Sequence, residues 1–162
     1  MISHSALLIR KLCCSMTLLL VVTACSSQPP APTPPNKSQV SSTADRAAAI
    51  ALQQVGVPYR YGGATPKGFD CSGLVHYSWA KAGKSVPRTT SSLWHYTQPV
   101  PADRIRKGDI LFFRISGKMS HVGMYIGGGQ FVHAPSTGSS VAVADLRSDF
   151  YRQAFIRAGR PE

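Results

Sequence analysis

Cysteine is scarce. The 162-residue chain holds four, and Cys13, Cys14 and Cys25 fall within the first 25 residues, leaving Cys71 alone in the rest of the chain. A lone cysteine excludes an internal disulfide framework for the body of the chain. The close Cys or His pairs of a structural zinc motif are missing too. Acidic residues are few, 7 against 18 Lys+Arg, for a formal charge of +11. That balance suits an anionic polymer or a lipid surface. Lys/Arg runs interleaved with aromatics are lacking, so nucleic acid is not expected as a partner. The apolar run at 12–22 has 11 residues, short of the ~20 needed to span a bilayer.

What is there begins with an address. Arg10 and Lys11 flank the apolar run, as in an export signal. Val22-Thr23-Ala24-Cys25 closes it. Small residues before a cysteine resemble a bacterial lipobox, which implies removal of residues 1–24 and lipidation of Cys25. Ser26 is not an aspartate, and the resemblance then implies no retention at the inner membrane. The expected location is the outer membrane, facing the periplasm. Residues 25–43 read as the lipidated cysteine and a disordered tether: 26–42 hold five of the 12 prolines and no apolar period. At about 3.1 Å per extended residue the tether reaches roughly 50 Å. Beyond the signal, 16 basic side chains face 7 acidic ones, so the basicity belongs to tether and domain.

Residues 44–162 form the expected domain. Thr43 reads as an N-cap, and Ala48, Ala51, Leu52 and Val55 recur at helical spacing, predicting a helix over 44–55. A loop containing Gly62-Gly63 comes next, where the backbone turns sharply or a ligand comes close. Asp70 stands at the N-cap of a second helix, 71–82, ended by Gly83. A short helical or irregular stretch is expected to Tyr96, with Pro99 and Pro101 breaking the chain. Strands are predicted at 110–113, 121–126, 130–134, 141–146 and 153–158. Helices followed by antiparallel strands make an α+β plan.

Cys71 opens the second helix. It reads either as a small hydrophobe on the core stripe of Leu74, Val75, Ser78 and Ala82 or as a nucleophile. An exported domain ordinarily pairs its cysteines, and this one has no partner. A helix start also favours a thiolate. A nucleophilic thiol needs a base. His76 is turned about 500° from Cys71 along the helix, well off its face, and His95 sits in a polar stretch. His121 and His133 bracket Gly127-Gly128-Gly129. If those glycines are a three-residue loop, or a bulge compensates a shorter one, both histidines project from one sheet face on a diagonal that side chains can span. This arrangement makes Cys71 the nucleophile, His121 its base and His133 the orienter of His121, with the Cys71 N–H as oxyanion donor. A Cys/His/His zinc site uses the same residue types but has the wrong spacing, so no metal or cofactor is expected.

In this order, Pro58-Tyr59-Arg60-Tyr61-Gly62-Gly63, Asp70-Cys71-Ser72-Gly73, Pro87-Arg88-Thr89, Gly108-Asp109-Ile110-Leu111-Phe112-Phe113, His121-Val122-Gly123-Met124-Tyr125 and Phe131-Val132-His133-Ala134 resemble the NlpC family of bacterial cell-wall cysteine peptidases. The resemblance implies a papain-like fold, with N-terminal helices packed on a five- to six-stranded antiparallel sheet. It implies the same Cys71, His121 and His133, and a place for Tyr59 in lining the site and assisting the oxyanion. Peptidoglycan is the implied substrate, cut at a D-alanyl–diaminopimelate crosslink or at γ-D-glutamyl–diaminopimelate. Asp70 and Ser72 are candidates to hold a substrate amine, with helix capping as the alternative for Asp70. One position departs from the pattern: Leu93 stands where similar sequences carry glutamine, and Arg88 is not assigned to the site. A monomer is expected. The competing readings are a non-catalytic wall-binding lipoprotein and an acyltransferase using the same Cys–His pair.

Overall fold

The computed structural model describes residues 42–162. The signal, Cys25 and all but the end of the tether lie outside the described residues. Four helices, α1 (Thr43–Leu52), α2 (Cys71–Lys81), α3 (Thr90–Tyr96) and α4 (Asp149–Ala154), accompany eight strands. Two short ones, β1 (Ala64–Thr65) and β2 (Gly68–Phe69), pair on the loop before α2. The other six are β3 (Gln98–Val100), β4 (Ile110–Ile115), β5 (Lys118–Gly127), β6 (Gln130–His133), β7 (Ala142–Asp145) and β8 (Phe155–Arg160). They form one antiparallel sheet in the order β3-β8-β4-β5-β6-β7.

The sheet is covered on both faces, and alternation along its strands explains how. Ile110, Phe112, Val122, Met124 and Val132 face a core built with Ala47, Ala51, Leu74, Val75 and Trp79 of α1 and α2. Leu111, Phe113 and Phe131 face a smaller core closed by Ala154, Ala158 and Tyr151. Strand residues one apart point to opposite faces. A strand apolar at every position, such as Ile110-Leu111-Phe112-Phe113, is therefore buried on both sides.

Several local expectations change. Helix α1 ends at Leu52 rather than at 55, and Leu52 and Val55 are exposed, the buried face being Ala47, Ala48 and Ala51. The cap of α1 is Ser42, whose Oγ accepts from the Asp45 N–H while the Asp45 carboxylate takes the Ser42 N–H. This reciprocal pair outcompetes Thr43, which becomes the first helical residue and leaves the tether with it. Pro99 does not break the chain; it lies within β3, at the sheet edge, where a missing N–H costs no ladder bond. The last strand begins at Phe155 rather than Gln153, because α4 occupies 149–154.

Candidate active site

Asp70 is the N-cap of α2, its Oδ1 accepting from the Gly73 N–H at 2.7 Å. Cys71 is thus the first helical residue, and its own N–H has no intrahelical acceptor. Arg88 fixes this helix start from outside. It donates to both oxygens of Asp70 at 2.9 and 2.7 Å, to Ser72 Oγ at 3.0 Å and to the Gly63 carbonyl at 3.1 Å. The Gly62 N–H also reaches Asp70, at 2.9 Å. Burial pushes the Asp70 carboxyl up, but the Arg88 bonds and the Gly73 and Gly62 amides more than offset it and hold the group below its ordinary range. Gly73 has no room for a side chain, since an added Cβ would stand 2.0 Å from the Gly63 carbonyl oxygen. Loop and helix therefore meet backbone to backbone. Arg88, which the sequence pattern does not assign to the site, is an organising cation of it. Asp70 and Ser72 are both engaged in its network, and the carboxylate accepts five bonds, which saturates it. That geometry fits the capping alternative for Asp70.

Cys71 is partly buried and packs against the main core, and it also opens onto a cleft, so the apolar stripe and a reactive position are compatible. It lies in a cleft of about 530 Å³ lined also by Tyr59, Tyr61, Arg88, Thr90 and Ser120. The strand register explains where its sulfur sits. Strand β6 ends at His133, after pairing Met124 with Val132, so β5 has an open edge over residues 120–122. The Cys71 Sγ occupies that opening, 3.9 Å from the Ser120 carbonyl and within reach of the Val122 N–H. The backbone on both sides of His121 thus touches the thiol. Thr90 Oγ1 stands 4.0 Å from the sulfur.

His121 and His133 project from the same sheet face, as strand parity predicts. The pairs Met124–Val132 and Tyr125–Phe131 keep the register of a three-glycine loop. The register then shifts by one at Ile126, and Gly127 pairs with Gln130. The turn is therefore two residues with a compensating bulge, and Gly128 and Gly129 both adopt the positive φ it requires. The imidazoles meet at 2.8 Å, His121 Nε2 to His133 Nδ1, with ring planes 82° apart. Both are buried, 5% and 3% exposed. With Nε2 engaged, Nδ1 is the nitrogen of His121 left for chemistry. His76 instead binds the Val86 carbonyl, and His95 is exposed.

The electrostatics favour neutral partners. Burial pushes the Cys71 thiol up, and Asp70 adds to that; the Val122, Thr90 and Ser72 hydrogen bonds pull down but do not prevail. The helix start therefore does not by itself yield a resting thiolate. Burial, with the neighbouring His133, lowers His121 to about 3, and burial lowers His133 to about 4. Tyr59 stays a protonated phenol, its pKa raised by burial and by Cys71 and Asp70. A neutral thiol, a neutral imidazole with a free nitrogen, and hydrogen-bond donors beside them can perform nucleophilic acyl chemistry.

The model of the NlpC/P60 family matches residues 56–160. A search of characterised proteins finds murein DD-endopeptidase MepH of Escherichia coli, 37% identical over 131 residues that make up 77% of this chain and 48% of the relative. It also finds the probable endopeptidase YafL of the same organism, 41% identical over 114 residues, 67% of this chain and 46% of the relative. The chain spans about half the length of these relatives. Among solved structures, the NlpC/p60 domain of the peptidoglycan hydrolase SagA superposes with a TM-score of 0.63 at 31% identity, covering 72% of this chain and 97% of that one.

Proposed function

The chain belongs to the NlpC/P60 family, and from that premise we propose that it is a murein endopeptidase, cutting peptidoglycan peptides by thiol catalysis. The observation that carries this reading is the lone thiol on the open edge of β5, against the backbone of His121, whose ring is engaged at Nε2 by His133.

In this mechanism His121 Nδ1 takes the proton of Cys71 as sulfur bonds to the amide carbon. The developing oxyanion meets the Cys71 N–H and the Tyr59 hydroxyl. As the C–N bond breaks, His121 returns the proton to the leaving amine. A water, deprotonated by His121, then cleaves the thioester and restores the thiol. His133 orients His121 and shares the charge of its imidazolium. The name of the Escherichia coli relative supports the D-alanyl–diaminopimelate crosslink as the bond. The proposed anchor is a lipid on Cys25, holding a monomeric domain at the outer membrane. The lipobox-like Val22–Cys25 and the proline-rich spacer behind it support that placement.

The test is digestion of purified sacculi, with mass spectrometry of the released muropeptides. Wild-type protein is expected to release monomers from crosslinked dimers, and Cys71→Ala to release none. Equal release by both ends the catalytic reading. Products cut at γ-D-glutamyl–diaminopimelate move the bond, and a product carrying an added amine in place of water makes the protein an acyltransferase.

A further inference from the structure

Tyr151 stands on α4, behind the two imidazoles, with its Oη 3.3 Å from His133 Nε2. Its ring packs edge-on to Phe131 at 4.8 Å, to Phe113 at 5.5 Å and to the His133 ring itself at 5.4 Å. These contacts fix where the hydroxyl lies. We propose that Tyr151 is a positioning residue: its oxygen accepts the Nε2–H of His133 and so holds that ring in the tautomer whose Nδ1 takes a hydrogen bond from His121. The inference rests on the role of base proposed for His121.

A neutral imidazole carries one N–H and one lone pair. Two such rings joined Nε2 to Nδ1 admit two arrangements. In one, His121 donates to His133, the free Nδ1 of His121 is a lone pair, and His133 carries its hydrogen on Nε2. In the other, His133 donates from Nδ1, and His121 carries its hydrogen on its own Nδ1, the nitrogen assigned above to the thiol proton. Only the first can take a proton from Cys71. It also has a requirement: the buried Nε2–H of His133 must find an acceptor. Orphaned buried N–H groups are rarer than under-satisfied acceptors, so without an oxygen at that point the second arrangement gains ground. The Tyr151 oxygen is the acceptor within reach, and its own hydrogen can turn away, because the residue is only half-buried. When His121 becomes an imidazolium it must donate from Nε2, and a chain of bonds running on to Tyr151 strengthens that donation. Protons stay balanced: the one leaving Cys71 ends on His121, while His133 and Tyr151 keep theirs.

The test is Tyr151→Phe in the full chain, a change that keeps the ring packing and removes only the oxygen. On a crosslinked muropeptide, kcat is expected to fall about tenfold to a hundredfold with KM changed less than about twofold. Nitrogen NMR of the resting protein should show His133 passing from the Nε2–H to the Nδ1–H tautomer. Replacing Tyr151 with 3-fluorotyrosine, which retains the oxygen, should preserve both readouts even if the Phe variant folds poorly. The tautomer measurement needs no substrate, so it stands or falls separately from the peptidase assignment, which Cys71→Ala decides. The proposal is overturned by an unchanged kcat, or by a lost kcat with the His133 tautomer unmoved.

Discussion

Acidification should unfold this domain through its two buried imidazoles. His121 and His133 sit at about 3 and about 4 in the fold, against about 6.5 in an unfolded chain. Below pH 6.5 the unfolded chain takes up protons that the fold refuses. Their stabilisation is therefore complete above pH 6.5 and is lost as pH falls from there toward the folded values. Near pH 5.5 the unfolded chain should bind nearly two more protons at these two sites, a slope of roughly 2 to 3 kcal/mol per pH unit. Between pH 7 and pH 5 the loss comes to about 4 kcal/mol, much of the 5–15 kcal/mol a domain ordinarily has. Urea unfolding followed by circular dichroism at stepped pH measures this. His133→Asn, which does not titrate, should cut the slope roughly in half whatever it does to stability at pH 7. A flat profile across this window would mean that the imidazoles are not held neutral, and the description of the site would fail with it.

Arg88→Leu leaves the Asp70 carboxylate without its cation; since Arg88 is partly exposed, the expected loss is about 2 kcal/mol by chemical denaturation. An unchanged midpoint would remove Arg88 from the architecture of the helix start. Gly73→Ala drives a Cβ into the Gly63 carbonyl oxygen and should cost about 3 kcal/mol, with activity lost as well; a stable, active variant contradicts the packing described. The raised Cys71 pKa predicts no thiolate ultraviolet absorbance at neutral pH, with the band rising only above the ordinary cysteine range. Strong absorbance at neutral pH would instead indicate a resting ion pair. Cys25→Ser should shift the protein from the membrane to the soluble fraction and abolish palmitate labelling, and unaltered partitioning would refute the anchor.

Much of this site was legible because it depends on periodicity. The helix carrying Cys71 follows from an Asp cap, an apolar stripe and Gly83, and the structure ends it within one residue of the expected place. The pairing of His121 with His133 follows from strand parity, which holds whether the turn is three residues or two with a bulge. What escaped depends on contacts across the chain. Arg88 and Asp70 are 18 residues apart, and no local pattern announces their bidentate pair. Tyr151 belongs to a six-residue helix that shows no apolar period, so neither the helix nor its contact with His133 could be read from spacing. The thiol's resting protonation depends on packing in the same way. A helix start is visible in sequence, whereas the burial that outweighs it is a property of the packed fold. Ser42 was missed as a cap because its partner, Asp45, gives the capping box with a less common acidic residue.

In the proposed mechanism the Cys71 sulfur becomes covalently bonded to the acyl half of the murein amide. Acid-quenching the protein during turnover of a crosslinked muropeptide, followed by intact-mass measurement and peptide mapping, tests it most directly. A thioester adduct of the acyl-donor stem is expected on the peptide containing Cys71, absent from Cys71→Ala. Turnover with no adduct on that peptide, or with Cys71→Ala still active, would contradict it.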